Sequence, residues 1–140
     1  MRKIVLDTNC LLATLPSKSP YHKVWEMFID GELTLCVSNE ILYEYEEIIC
    51  EKISPFFADL IINTLLNKKN VVRVTPKWRF DIIKTDLDDN KFVDCAVCGN
   101  AECIVSNDNH FKILKETYFP YTTMYTLQEF CERLNKRGGE

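Results

Sequence analysis

Residues 3–12 read KIVLDTNCLL, and the run Ile4, Val5, Leu6 contains no polar alternation. A strand of that kind has no face to offer water, so it belongs inside a sheet covered by helices on both sides. Directly after it the chain places a carboxylate, a hydroxyl and an amide, in Asp7, Thr8 and Asn9. A charge at the end of a buried strand has two readings. It caps a helix that begins near Asn9, or it belongs to a site beyond the carboxyl edge of a sheet.

The rest of the chain supplies the partners such a strand needs. Strand 2–6 leads to a short helix near 9–15, and "PYHKVWEMFIDG" gives a second helix closed by Gly31. "LTLCVS" is a strand, Asn39 to Glu51 an amphipathic helix, and Pro55 to Lys68 another with its proline in the tolerated first turn. "NVVRVTP" reads as a third strand, and "KWRFDIIKTDLDD" has no clear period. A helix from about Asn90 to Gly99 runs into the strand "CIVS", "DNHFKILKE" reads as a short helix, "TTMYT" as an edge strand and "LQEFCERLNKR" as a terminal helix. Strands separated by helices predict an α/β fold, a three-layer α/β/α sandwich with a mostly parallel central sheet of four to five strands.

Composition narrows the class. With 140 residues, 46% apolar and 27% charged, a single domain over 1–140 is expected. No apolar run approaches the roughly 20 residues of a membrane span, and strand-like sequence at the N-terminus leaves no room for a signal peptide, so a cytoplasmic protein with no membrane association is expected. Seven cysteines is an odd number, and Cys36, Cys95 and Cys103 lie in apolar segments, which argues for reduced thiols. Cys95 and Cys98 have C-x-x-C spacing but fall within a helical pattern with no second pair, so zinc is not expected. A net charge of −4 argues against holding nucleic acid by bulk positive charge, though not against nucleic acid as a substrate where a cation masks local carboxylates.

Four acids have reasons to approach one sheet edge. Asp7 follows strand one, and Asp108 follows "CIVS" after Ser106 and Asn107. In "NEILYEYEEIIC" the apolar stripe is Ile41, Leu42, Tyr45, Ile48 and Ile49, which places Glu44 at its margin, with Glu46 a near tie on the other flank. In "DLDDNKFVDCAVCG", Phe92, Val93 and Ala96 define the inward face and Asp89 lines up with them. Asp94 falls about 160° away and is expected in solvent. Asp88 and Asp89 also suit the helix N-terminus as cap or dipole partners. Clustered carboxylates repel, and a hard divalent ion such as Mg²⁺ or Mn²⁺ resolves that repulsion.

These segments, "IVLDTNCLL", "SNEILYEYEEI" and "DDNKFVDCAVCGNAECIVSND", make the chain resemble a PIN-domain nuclease, close to the VapC-like toxin components of bacterial toxin–antitoxin systems. The resemblance puts the family's four acids on Asp7, Glu44, Asp89 and Asp108, with Glu44 chosen over Glu46. A one-residue shift would select Asp88 or Asn90 in place of Asp89. Ser106 stands where the family has threonine or serine, and Asn107 where relatives often carry glycine. What the resemblance implies is a Mg²⁺- or Mn²⁺-dependent endoribonuclease that leaves a 5′-phosphate and a 3′-hydroxyl. Asp7, Asp89 and Asp108 would be metal ligands, Glu44 a ligand or the group that orients water, and Asn9 and Ser106 polar supports of the carboxylates. It further implies a homodimer inhibited by an antitoxin protein.

Other readings are less well matched. A haloacid-dehalogenase-like phosphatase needs a second Asp where this chain has Asn9, and a receiver domain needs an acidic pair after strand one. A catalytically silent PIN-like scaffold that binds a protein or RNA partner is the alternative from another class. Lys68, Lys69, Arg73, Lys77, Arg79, Lys84 and Lys91 gather in the middle third with Trp78 and Phe80 among them. Lys77, Trp78 and Arg79 suit a groove that tracks a nucleic-acid backbone and stacks a base, or else a solvated surface loop. Trp25 and Phe28, spaced i, i+3, are expected in the core.

Overall fold

A strand as apolar as Ile4–Leu6 is expected at the centre of the sheet, and it lies there: all three residues are buried, with at most 2% exposure. The computed structural model describes residues 2–81, 83, 89–108 and 122–138, with side chains through 136. Among these residues five strands, β1 (Arg2–Leu6), β2 (Leu33–Val37), β3 (Val71–Arg73), β4 (Cys103–Val105) and β5 (Met124–Tyr125), form one sheet in the order β3-β2-β1-β4-β5. All four pairings are parallel. Among the described residues six helices, α1 (Thr8–Thr14), α2 (His22–Ile29), α3 (Asn39–Lys52), α4 (Pro55–Asn67), α5 (Asn90–Cys98) and α6 (Leu127–Gly138), complete a three-layer α/β/α sandwich.

Local chemistry sets the element ends. Ser38 caps α3 by accepting from the Ile41 N–H, and Ser54 caps α4 by accepting from the Phe57 N–H. Gly31 ends α2 in the left-handed region at φ 83°, where a side chain would be strained. Gly99, which ends α5, answers a different need: a Cβ there would sit 2.7 Å from the Val74 side chain and 2.9 Å from the Cys95 carbonyl. The α3 stripe is as the periodicity predicts, with Ile41, Tyr45 and Ile49 fully buried. Phe28 is buried, and Trp25 is half-buried with its ring 5.2 Å from that of Phe28.

The chain first builds outward from β1 to β2 to β3, then returns across the sheet to place β4 on the other side of β1. The direction of winding therefore reverses between β1 and β4, and an open parallel sheet leaves a crevice at such a point, beyond the carboxyl ends of the strands. Helix α5 packs over β1, β2 and β4 and touches α3, so its first turn faces the same edge.

One sequence expectation is overturned here. Asp94, assigned to solvent, is 2% exposed. Every residue from Asn90 to Ala96 is buried, because Phe80 and Ile83 lie over the face of α5 that a helix wheel gives to water. Asp94 accepts the Phe80 N–H at 3.0 Å, and the Asn90 amide exchanges two 2.8 Å bonds with the N–H and C=O of Ile83. The short helix expected in "DNHFKILKE" lies outside the described residues, apart from Asp108.

Candidate active site

The register of the β1–β4 pair, Leu6 opposite Val105, carries Asp7 and Ser106 to the same point just past the strands. The Asp7 N–H completes the ladder by donating to the Val105 carbonyl at 3.1 Å. Its carboxylate then turns to two donors: Oδ1 accepts the Cys10 N–H at 2.8 Å and Oδ2 accepts the Ser106 hydroxyl. Asp7 is thus the N-cap of α1 and a member of the edge constellation at once. Ser106, fully buried, also accepts the Asp108 N–H at 3.0 Å, so one hydroxyl fixes both acids.

Burial pushes the Asp7 carboxyl above the ordinary carboxylate value, the Ser106 and Cys10 bonds pull it back in part, and the nearby Asp108 charge pushes it up again. A buried carboxylate held by neutral donors, beside a second negative charge, is stabilised in its ionised form by any cation that enters.

Glu44 reaches this edge through a different set of contacts. Tyr45, fully buried, donates its hydroxyl to the Leu6 carbonyl at 2.5 Å and so ties α3 to the end of β1. That anchors the preceding residue beside α1, where Glu44 Oε2 accepts the Thr8 hydroxyl. Oε1 takes the Lys91 ammonium from α5 at 2.8 Å, with the Lys91 side chain 8% exposed. Asp89 occupies the N-cap position of α5 without a cap bond from its side chain. Asn9, expected as a support, is exposed. Asp88 lies outside the described residues.

The structure therefore brings Asp7, Ser106 and Asp108 together and sets Glu44 next to them through Thr8. Among the described residues no three His, Cys, Asp or Glu side chains converge on one metal position. Two carboxylates suit Mg²⁺ or Mn²⁺ nonetheless, since Mg²⁺ usually takes one or two protein carboxylates and fills its other positions with waters and substrate phosphate oxygens. The thiols fit no such role, as burial pushes Cys36 up to about 11 and Cys103 up to about 12.

Sequence reasoning missed Thr8 and Lys91 as site residues. Thr8 carried a signal, a hydroxyl directly after the strand-end acid. Lys91 carries none, since a lysine two places after Asp89 reads as one more of the basic residues of the middle third. Further along the same edge, past β2 and β3, Ser38, Glu40, Thr75, Pro76 and Arg79 line a groove of about 170 Å³. Arg79 pairs with Glu40 at 2.9 Å, while Lys77 is exposed and Trp78 is 67% exposed.

A parallel α/β domain with a carboxylate pair at its switch point is the class these features define. The PIN domain family model matches residues 3–110, and the chain belongs to that family. Its fold is similar to that of VapBC2 from Rickettsia felis, solved bound to a DNA fragment from its promoter, at 18% identity and a TM-score of 0.56 over 89% of this chain and 98% of that one. DNA-bound VapBC from Salmonella typhimurium is similar at 15% identity and a TM-score of 0.57, over 91% of this chain and 99% of that one. No curated protein matches the chain.

Proposed function

We propose that the protein is a metal-dependent endoribonuclease and the toxin of a toxin–antitoxin pair. The observation that carries this reading is the buried Asp7 carboxylate sharing the Ser106 hydroxyl with Asp108 at the β1–β4 switch point. Membership of the PIN family supports it, and the VapBC complexes that share the fold support an antitoxin as partner.

Asp7 and Asp108 would hold Mg²⁺ or Mn²⁺, with Asp89 at the first turn of α5 as the further acid. An ion bound there supplies a Lewis acid for a phosphodiester oxygen and eases deprotonation of the attacking water. Ser106 holds the Asp7 carboxylate by its hydroxyl and the Asp108 backbone by accepting its N–H. Glu44, with one oxygen on Thr8 and the other on Lys91, would be either a further ligand or the group that orients water at the scissile phosphate. Lys77, Trp78 and Arg79, beside the groove beyond β2 and β3, would receive the flanking single strand by charge and stacking. The antitoxin would cover the acidic edge, and two copies of the toxin would pair through the exposed apolar side chains of α3 and α4.

Purified protein should cleave single-stranded RNA in Mn²⁺ or Mg²⁺ and stop on addition of EDTA. Asp7→Asn should fold and be inactive, and retained cleavage by that variant would remove the role given to Asp7. Reversing Lys77 and Arg79 to Glu should weaken RNA binding and flatten its salt dependence. RNA or protein binding by a wild type that cleaves in neither metal would favour the silent scaffold.

A further inference from the structure

The acids at this edge fall into two electrostatic groups. Asp7 takes neutral donors, the Ser106 hydroxyl and the Cys10 N–H, and stands beside Asp108. Glu44 takes a full positive charge, with the Lys91 ammonium at 2.8 Å and the Thr8 hydroxyl on its other oxygen. The Lys91 side chain is 8% exposed and that of Glu44 is 23% exposed. The Lys91 ammonium also lies 5.4 Å from the Phe92 ring centroid, so its far end is packed as well as paired. A charge pair with one member this buried is costly to break, because whichever partner remains is left uncompensated.

We propose that Lys91 is a positioning residue, the standing counter-charge of Glu44. It keeps Glu44 out of the inner ligand set of the divalent ion and fixes it, with Thr8, as the water-orienting group. The proposal rests on the nuclease reading above and decides between the two roles that reading leaves to Glu44. An ion that took Glu44 as an inner ligand would have to share its carboxylate with the resident ammonium, positive charge against positive charge. Asp7 takes only neutral donors, so an incoming ion meets no resident positive charge on its carboxylate. Asp7 thereby stands as an ion-holding acid and Glu44 as a clamped one. The ammonium also offsets one of the negative charges that crowd this edge, so the edge can assemble before any ion arrives.

The division is read by titrating Mn²⁺ into the protein calorimetrically, without RNA. Asp7→Asn should weaken Mn²⁺ binding at least tenfold, and Glu44→Gln should leave it within about threefold while lowering kcat for cleavage. Lys91→Met should tighten Mn²⁺ binding several-fold, because it removes a repelling charge and releases Glu44. A merely structural lesion would move the affinity the other way. Lys91→Arg should restore the wild-type value. Glu44→Gln weakening Mn²⁺ as much as Asp7→Asn would overturn the proposal and leave the nuclease reading standing, as would weaker binding by a folded Lys91→Met. Should Lys91→Met fail to fold, Glu44→Gln decides alone. A wild type that binds no Mn²⁺, or an Asp7→Asn variant that binds it unchanged, sinks the nuclease reading and this inference together.

Discussion

Asp7 joins the end of β1, the start of α1 and the edge constellation through a single residue. One oxygen serves the helix and the other serves the edge constellation, because a carboxylate has lone pairs enough for both. Tyr45 was legible only as an apolar stripe residue. Its hydroxyl, which ties α3 to β1, has no signature in a helix wheel. Tyr45→Phe should cost about 1 kcal/mol in urea unfolding by deleting that bond, and should reduce cleavage by loosening the seat of Glu44. Asp94 gives a pH test. Burial raises its carboxyl above 3.8, with the Phe80 N–H and Arg79 pulling it back in part. The folded state therefore binds its proton more tightly than the unfolded chain, and the stability this group contributes falls as pH rises from 3.8 through the raised native value. Asp94→Asn keeps an acceptor for Phe80 and loses the charge. It should unfold at higher urea than wild type at pH 7, with the gap closing as pH is lowered towards 3.8.

At the scale of elements, strand and helix positions were readable because their periods are strong. The inner edge of α5 was readable too, in Phe92, Val93 and Ala96. Its outer edge was not, because a wheel assumes that the opposite face meets water. Here that face meets another piece of chain, and backbone groups of Phe80 and Ile83 need partners there. Asn90 and Asp94, one turn apart, are polar and buried for that reason. Asn90→Ala should strip both bonds from the buried Ile83 backbone and cost about 1–3 kcal/mol, with faster amide exchange at Ile83 than in α5 as the local readout. Gly99→Ala is a control of another kind, since it should drive α5 away from Val74 by overpacking.

For the whole molecule, the alternation of strands and helices sufficed to foresee a parallel three-layer sandwich, and the strand order explains where its edge becomes chemically useful. Helix α3 leaves Tyr43 75% exposed and α4 leaves Phe56 and Leu60 74% and 49% exposed, apolar side chains through which two copies would pair. Light scattering on a sizing column should return a dimer mass for wild type at tens of micromolar. Phe56→Glu with Leu60→Glu should give the monomer mass with its thermal unfolding little changed, and a monomeric wild type would refute pairing through this face.

The same topology has a consequence for when the protein can act during its own synthesis. Asp7 and Ser106 are 99 residues apart in the chain, and their contact exists only once β4 has been laid against β1. A nascent polypeptide still short of β4 possesses neither the hydroxyl nor the second acid, whatever its first three strands have already done. The edge constellation is thus assembled only after the chain has been translated past Asp108.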